Sequence, residues 1–439
     1  MKTCFVSNLS EDVWPFIQAQ PAAIQATEIG ENQQLSDRDI FAFSGQNEVL
    51  FILPQQLDPD FWRYYQTTFG CTKSQVLVPQ HHTGQTCADV LRDTALLKKM
   101  VTWATDEPLA LYSYSPSVEF FQLVQTLRDM GVTVECPESP PLDKMSAIEE
   151  LGTKTGIRKS ALPVVEGEVF ADWKRAVPLA AKWWYERGAV VLKTRKGHSG
   201  FGVMILTAQD RPSTLAECRR VIKDKLQAES FWAQFPLVVE EFITTDTTVG
   251  GGFPSVEYRI MANGKPEYLY ACGMRVTAAG VFRGIIIGAE IFTPQVLAVL
   301  QHIGLRWGLQ LAGAGYRGYY DVDCLAGIDG RMYASESNVR RTGGTHVYAT
   351  AKTLLGPDFY TTAVTLSQNM GEVPGKRVMT FPQLLDRLQS LVFDAATPQG
   401  IVITTANLLP GGRFGYVVLG HDYNEAVAIE EKMFAALTA

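Results

Sequence analysis

Residues 320–345 read YDVDCLAGIDGRMYASESNVRRTGGT, and this stretch constrains the chain more than any other. An apolar, β-branched run carries Asp323 at its end, the turn Gly327-Ile328-Asp329-Gly330-Arg331 follows, and a second strand-like run delivers Glu336 and Asn338. A hairpin over this stretch brings the three oxygen-bearing side chains together. Residues two apart on a strand point to one face, so Glu336 and Asn338 act as a pair. Two carboxylates and an amide oxygen on one face suit a hard cation, Mg²⁺ or Mn²⁺, whose remaining sites go to water and phosphate oxygens. The run Arg340, Arg341, Thr342, Gly343, Gly344, Thr345 then offers cations and backbone N–H groups to anions. Asp321 shares the face of Asp323 in a regular strand and reads either as support for the metal set or as a cap. The plainer alternative is three solvated polar residues on a surface hairpin.

Composition narrows the setting. At 439 residues the chain is long enough for two or three domains, each with its own core. A net charge of −7 argues against a broad nucleic-acid surface, and no apolar run approaches the roughly 20 residues of a membrane span. The N-terminus, MKTCFVSNLSEDVW, lacks the pattern of a secretory signal. Seven scattered cysteines without a CxxC spacing read as reduced thiols of a cytoplasmic protein rather than a zinc ribbon or disulfide framework.

Up to about residue 140, strand-like segments (2–6, 39–43, 49–53, 75–78, 109–112, 132–135) alternate with helical patterns (59–69, 86–103, 117–130). This is the signature of a doubly wound parallel sheet, and the absence of GxGxxG leaves a dinucleotide site without support. The proline-rich run 137–141 reads as a linker. A short helix should follow, with Asp143 as N-cap and Gly152 as its end. Beyond it lies a strand-rich region (189–194, 202–206, 237–242, 255–262, 267–272, 281–287, 318–324) with helices at 211–231 and 294–309. The tail from about 375 reads as a smaller α/β unit: a helix at 381–391, strands at 400–405 and 415–419, and a helix at 424–436.

Three further constellations carry chemistry. The strand Val190-Val191-Leu192-Lys193 runs into Thr194-Arg195-Lys196-Gly197-His198-Ser199-Gly200-Phe201-Gly202, the build of a flap over phosphates. Gly197 and Gly200 permit close backbone approach, the Ser199 hydroxyl and N–H groups meet phosphate oxygens, and Lys193 adds a point charge. An ordinary hairpin with a basic loop is the alternative. The strand ending in Glu240-Glu241-Phe242-Ile243 can line an adenine pocket, or be an edge strand with solvated acids. Arg259, Arg275 and Arg283 sit in strand-like segments and need a carboxylate or phosphate partner there. His198 and His346 lie close enough to these loops to touch an anion.

Taken in order, these pieces resemble the ATP-grasp superfamily over about residues 140–360. Leu142-Asp143-Lys144-Met145 followed by Thr155-Gly156-Ile157 is similar to the entry motif, in which Lys144 contacts nucleotide phosphate. Val191-Leu192-Lys193 is similar to the second phosphate lysine, Gly197–Gly202 to the flexible loop, and Glu240-Glu241-Phe242-Ile243 to the adenine hinge. Asp323, Glu336 and Asn338 match the metal ligands. The run from Ser337 to His346 resembles, within the superfamily, ligases related to the peptide ligase of pheganomycin biosynthesis, from which Arg341-Thr342 depart. No acid stands in the usual place after the hinge, which leaves Asp246 or Glu257 for the ribose.

The resemblance implies an α/β chain with an α+β ATP-grasp core: a pre-ATP-grasp domain over 1–140, an ATP-grasp domain over 141–370 (nucleotide-binding lobe 141–245, catalytic lobe 246–370) and a small C-terminal unit over 371–439. It implies ATP and Mg²⁺ as cofactors, small carboxylate and amine substrates such as amino acids or short peptides, and an amide formed through an acyl phosphate. Arg340, joined by Arg275, would stabilise the acyl phosphate and the later oxyanion, with Lys193 at the phosphates. Transfer to a carrier-protein thiol and a non-catalytic Mg·ATP sensor are the alternatives, and a homodimer is the common state of such folds.

Overall fold

The protein is described by a computed structural model covering residues 1–197, 202–277 and 280–438. It is built on three sheets. The first is parallel, with β1 (Lys2–Val6), β2 (Val49–Ile52), β3 (Gln75–Leu77), β4 (Leu109–Ser113) and β5 (Val134–Glu135) in the order β3-β2-β1-β4-β5. This is the doubly wound arrangement read from the β/α alternation. Strand alternation divides the core: Cys4 and Val6 face a cluster with Leu50, Ile52 and the helix residues Leu97, Phe120 and Leu123, whereas Phe5 faces the rest of the molecule.

The helix Pro59–Phe69 has its expected bounds because its ends are coded locally. Asp58 accepts from the N–H groups of Asp60 (2.8 Å) and Phe61 (3.1 Å), and Gly70 ends it at φ 67°. The expected helix over 86–103 is two, Thr86–Leu91 and Thr94–Trp103, because Asp93 caps the second by accepting from Leu96 N–H at 2.9 Å. The expected strand at 39–43 is instead part of a 3-10 helix, Leu35–Phe43. A short apolar run does not reveal its own period. Here β2 is already paired on both edges, and Asp37 anchors the segment by accepting from the N–H groups of Ala406 (2.7 Å) and Asn407 (2.8 Å). The helix Ala22–Gln34 was also missing from the sequence reading.

The proline-rich run at 137–141 is not a loose linker. Glu138 within it is buried and binds Arg341 at 2.6 Å and Arg259 at 2.9 Å. Asp143 does not cap the following helix, Met145–Leu151, whose N-cap has no side-chain bond.

The second sheet is antiparallel: β6 (Gly167–Phe170), β7 (Val190–Thr194), β8 (Val203–Leu206) and β9 (Leu237–Glu240), ordered β6-β9-β7-β8. Helices Trp173–Arg187 and Leu215–Ala228 pack on it through Trp184, Ala180, Ile222 and Leu226. The first of these, with Asp172 as N-cap and Gly188 as its left-handed end, was legible by cap residues but lost in a segment read as strand-rich.

The third sheet has eight strands: β10 (Pro254–Ile260), β11 (Pro266–Val276), β12 (Phe282–Ile287), β13 (Gly318–Ala326), β14 (Met332–Glu336), β15 (Val364–Glu372), β16 (Gly400–Thr405) and β17 (Arg413–Gly420). Their order is β14-β13-β10-β11-β12-β15-β17-β16. The tail therefore builds no sheet of its own, since β15 joins β12 to β17 and continues the central sheet outward. One core cluster unites Phe5 and Phe51 of the first sheet with Tyr270, Ile285, Leu366 and Val417 of the third. The helix Pro294–Gly313 covers the opposite face through Leu300, Ile303 and Trp307. All seven cysteines are free, and among the described residues no helix is long and apolar enough to cross a membrane.

Candidate active site

The second and third sheets face each other across a cavity of about 520 Å³. Two cross-strand rows of the eight-stranded sheet form its floor. Cys272, Ser255, Asp323 and Glu336 lie side by side on β11, β10, β13 and β14, and Tyr270, Glu257 and Asp321 form the next row. Directly opposed residues project to the same face, so the hairpin expected over this stretch brings Asp323 and Glu336 together, through a bulge between Asp323 and Cys324.

Asp323 is crowded. Burial, then the charge of Glu336, pushes its carboxyl up to about 7, with the Ser255 hydroxyl opposing. Asp321 is also pushed well up, by burial and then by Asp323. Asp321 also lines the cavity, but its carboxylate is committed: its Oδ1 accepts from the backbone N–H of Asn338 at 2.6 Å, and the Asn338 amide donates to both its oxygens at 3.1 and 2.9 Å. It therefore fixes the orientation of Asn338, whose Oδ1 accepts from Arg340 Nη2 at 2.9 Å. The question of cap or support is settled geometrically in favour of support.

Asp323, Glu336 and Asn338 fit a divalent cation. Their donors are hard oxygens, and a cation between Asp323 and Glu336 would offset the repulsion that raises Asp323. Among the described residues no group of three or more His, Cys, Asp or Glu side chains forms a complete cage. An open set of two carboxylates and one amide is what a cation shared with phosphate oxygens and water requires.

Two lysines face this set. Lys193 on β7 is buried, with its ammonium 2.7 Å from Glu240 Oε2 and donating to Ser335 Oγ at 3.0 Å. Glu240 is also held by Arg158 at 2.8 Å, so this carboxylate neutralises and orients cations. The second lysine is Lys154, 3.2 Å from Glu336 Oε1. Sequence reasoning placed Lys144 here, but Lys144 is exposed outside the cavity lining, near Gly315. The signal that could have found Lys154 is its position directly before Thr155-Gly156-Ile157.

Gly197 and the segment Glu241, Phe242, Ile243 line the cavity, with Val191, Ile205, Met274 and Leu325 completing an apolar slot wide of the carboxylates. The flap residues Ser199 and Gly200, and His198, lie outside the described residues. Neither acid considered for the ribose is free. Asp246 closes its own turn, accepting from Thr248 N–H (2.9 Å) and Oγ (2.6 Å), outside the cavity lining. Glu257 lines the cavity, but accepts from the hydroxyls of Tyr270 (2.8 Å), Thr342 (2.5 Å) and Thr345 (2.8 Å). It thereby anchors the turn at 342–345, where a Cβ on Gly344 would collide with the Tyr270 hydroxyl.

Arg340 and Arg275 part company. Arg340 lines the cavity beside Asn338, its Nε donating to Asp12 Oδ2 at 2.8 Å and its Nη1 to the Arg341 carbonyl at 2.8 Å. Burial alone would raise the Asp12 carboxyl, but Lys196 and Arg340 outweigh it and hold the group well below the ordinary range. Arg275, expected at the acyl phosphate, makes a bidentate pair with Glu430 at 2.8 and 3.0 Å and does not line the cavity. A half-buried strand arginine gains most from a carboxylate partner, and the C-terminal helix Tyr423–Thr438 supplies it. His346 is likewise buried outside the lining, its proton affinity lowered by burial and then by Arg38.

No protein-family model matches the chain, and no curated protein is significantly similar to it in sequence. Solved structures do resemble it. The biotin carboxylase domain of the Hydrogenobacter thermophilus 2-oxoglutarate carboxylase, in complex with MgADP, ADP and bicarbonate, aligns over 100% of this chain and 90% of its own, with a TM-score of 0.56 and 13% identity. Biotin carboxylase from Campylobacter jejuni aligns over 100% and 95%, with 0.57 and 10%. N5-carboxyaminoimidazole synthetase from Staphylococcus aureus, complexed with ADP, aligns over 99% and 97%, with 0.55 and 10%. At such identities the likeness is one of fold, and that fold is ATP-grasp preceded by a parallel-sheet domain.

Proposed function

We propose that the chain is an ATP-dependent, ADP-forming ligase that joins a carboxylate to an amine through an acyl phosphate. The observation that carries this reading is the opposed pair Asp323 and Glu336, with Lys154 and Lys193 beside it, in one cavity with the slot at residues 241–243. Two of the solved structures named above contain ADP, one of them with magnesium and bicarbonate, and the third is a beta-gamma-ATP complex, which supports reading the slot as a nucleotide site.

Asp323, Glu336 and Asn338 would hold a divalent cation, which would supply positive charge to offset the negative charge developing in phosphoryl transfer. Lys193 and Lys154 present ammonium groups to the phosphates from buried positions, already oriented by Glu240, Ser335 and Glu336. The γ-phosphoryl group passes to a carboxylate oxygen, ADP leaves, the amine nitrogen attacks the acyl carbon and inorganic phosphate departs. Arg340, clamped by Asp12 and Asn338, is positioned to stabilise the acyl phosphate and the oxyanion without reorganising. A thioester route through the enzyme has no support: burial, then Asp323 and Glu257, raises the Cys272 thiol well above its ordinary range, and Cys324 is raised by burial and then by Asp323.

The finer reading is a peptide ligase related to the pheganomycin type, with an amino acid or short peptide as substrate and Mg²⁺ or Mn²⁺ as the cation. It rests on the run Ser337–His346, whose Thr342 and Thr345 grip Glu257 while Gly343 and Gly344 line the cavity. Phosphate release from ATP, screened over pairs of amino acids and short peptides with product masses read directly, tests both levels. An amide product supports the peptide-ligase reading. Mass gain only on a phosphopantetheinylated carrier replaces it, and Mg·ATP binding without phosphate release for any pair sinks the enzyme reading.

A further inference from the structure

The cavity extends past Arg340 toward the parallel-sheet domain, where Arg38 on the 3-10 helix Leu35–Phe43 enters its lining. The Arg38 side chain is 6% exposed, and an arginine cannot shed its charge when buried. It nevertheless donates no hydrogen bond to any described residue, and its Nε is enclosed without a partner. The carboxylates beside it in sequence are committed elsewhere. Asp37 accepts from Ala406 and Asn407, and Asp39 accepts from Ser7 Oγ at 2.5 Å, leaving its other oxygen 3.8 Å from Arg38 Nε, beyond hydrogen-bond reach. Arg158, Arg275 and Arg340 behave differently: each donates to a carboxylate at 2.8 Å.

A second unmet group lines the same cavity. Asn369 on β15 is buried, and its Oδ1 accepts from nothing, while its amide donates weakly to the Gly343 carbonyl at 3.4 Å. Tyr114 connects this end to the reaction centre: the Arg340 guanidinium lies 5.6 Å over its ring, and both Arg340 and Arg38 act electrostatically on its hydroxyl. The cavity thus holds a cation that Asp39 balances only at 3.8 Å, without a hydrogen bond, and a buried carbonyl that asks for an N–H.

Resting on the ligase reading, we infer that Arg38 and Asn369 form a substrate subsite for a free carboxylate and an N–H donor of one molecule, an amino acid or short peptide. The carboxylate on Arg38 is not the one activated at Asp323 and Glu336, so the substrate keeps one free carboxylate through the reaction. A charge-assisted pair in a dry pocket is among the stronger contacts available to a small ligand, and Arg38 can make it bidentate.

The test is calorimetric binding of the common amino acids, of their carboxamides and of dipeptides to the full chain, with and without Mg·ADP. At least one amino acid or dipeptide should bind, and its carboxamide about 10- to 100-fold more weakly, as expected for loss of a charge-assisted contact. Arg38→Met should lose the carboxylate preference, and Arg38→Lys should keep part of it. ADP affinity should change less than about twofold in both, since the slot at 241–243 is untouched. Melting temperature separates this from misfolding, because removing a buried cation that has only a long ion pair and no hydrogen bond should hold or raise it. Equal binding of acid and amide, unchanged binding by Arg38→Met, a lowered melting temperature, or no binding to the unaltered chain would each overturn the inference. Failure of ADP to bind the unaltered chain would instead strike the ligase reading, with the nucleotide-free arm still deciding the subsite.

Discussion

The eight-stranded sheet carries charge clusters on both sides of its middle, and they are built on opposite terms. Toward β15 and β17, Arg275 is bound bidentately by Glu430, donates to the Ser367 carbonyl at 3.0 Å, and Tyr416 completes Glu430 from its hydroxyl at 2.6 Å. Every charge there is cancelled by the fold. Toward β13 and β14, Asp321, Asp323 and Glu336 crowd together, with Lys154 touching only one of them, and Asp323 is driven up to about 7. A cluster that closes on itself holds structure together, whereas one left unbalanced marks where a ligand's charges belong. Arg275 and Arg340 illustrate the difference, since both are arginines beside strands and only one faces the cavity.

The largest effect should come from the unbalanced cluster. Glu336→Ala and Lys193→Ala should each reduce ADP formation at least about a thousandfold, with circular dichroism unchanged, because they remove charge from the phosphoryl-transfer site. Near-native turnover in either would break the contrast between the two clusters. Lys154→Ala should cost about 10- to 100-fold in kcat/KM for ATP, read by coupled ADP release. Glu430→Ala is the reciprocal experiment. It should lower unfolding free energy by about 1–3 kcal/mol in urea titrations, a value discounted for the partial exposure of Arg275, while activity per folded molecule is kept. A large loss of activity without a loss of stability would return Arg275 to the catalytic set.

The pH dependence sharpens the same point. The Asp323 carboxyl in the metal-free fold is raised above the ordinary value of about 3.9. A raised folded-state value means that the fold prefers the protonated carboxyl. Its contribution is complete below about pH 4 and is lost as pH rises through about 7. In EDTA, stability should therefore fall between pH 4 and 7 relative to Asp323→Asn, and Mg²⁺ at pH 8 should restore part of it. Parallel stability curves for the two proteins would show that the carboxylates do not repel as the geometry implies.

What was legible in the sequence follows from how locally each feature is coded. The hairpin itself needs only alternation and a Gly-bounded turn, whereas the bulge between Asp323 and Cys324 that sets Asp323 opposite Glu336 carries no such local signal; the helix Pro59–Phe69 needs only its caps. The 3-10 helix Leu35–Phe43 was misread because the bonds that fix it come from Ala406 and Asn407, far along the chain. Arg275 was placed at the reaction centre for the same reason: Glu430, which claims it, lies on the last helix. The fate of Asp246 was set by Thr248, two residues away, and was in principle readable as an Asx turn. Arg38 carried no motif at all, and only the three-dimensional surroundings reveal that its buried Nε lacks a hydrogen-bond partner.

The smallest effect should come from Lys144, and it is informative because a motif argues against it. Lys144 follows an aspartate in an ATP-grasp-like entry pattern, yet it is exposed, while Lys154 is buried against Glu336. Lys144 has no ion-pair partner among the described residues and an exposed lysine of that kind contributes little, so Lys144→Ala should shift stability by no more than about 0.5 kcal/mol. It should change kcat/KM for ATP less than about twofold, since the lysine lies outside the cavity lining. The paired variant Lys144→Ala with Lys154→Ala should then behave as Lys154→Ala alone. A loss in Lys144→Ala comparable to that in Lys154→Ala would mean that the 145–151 helix moves on nucleotide binding and carries Lys144 to the phosphates, which nucleotide-dependent hydrogen exchange over residues 142–151 would report directly.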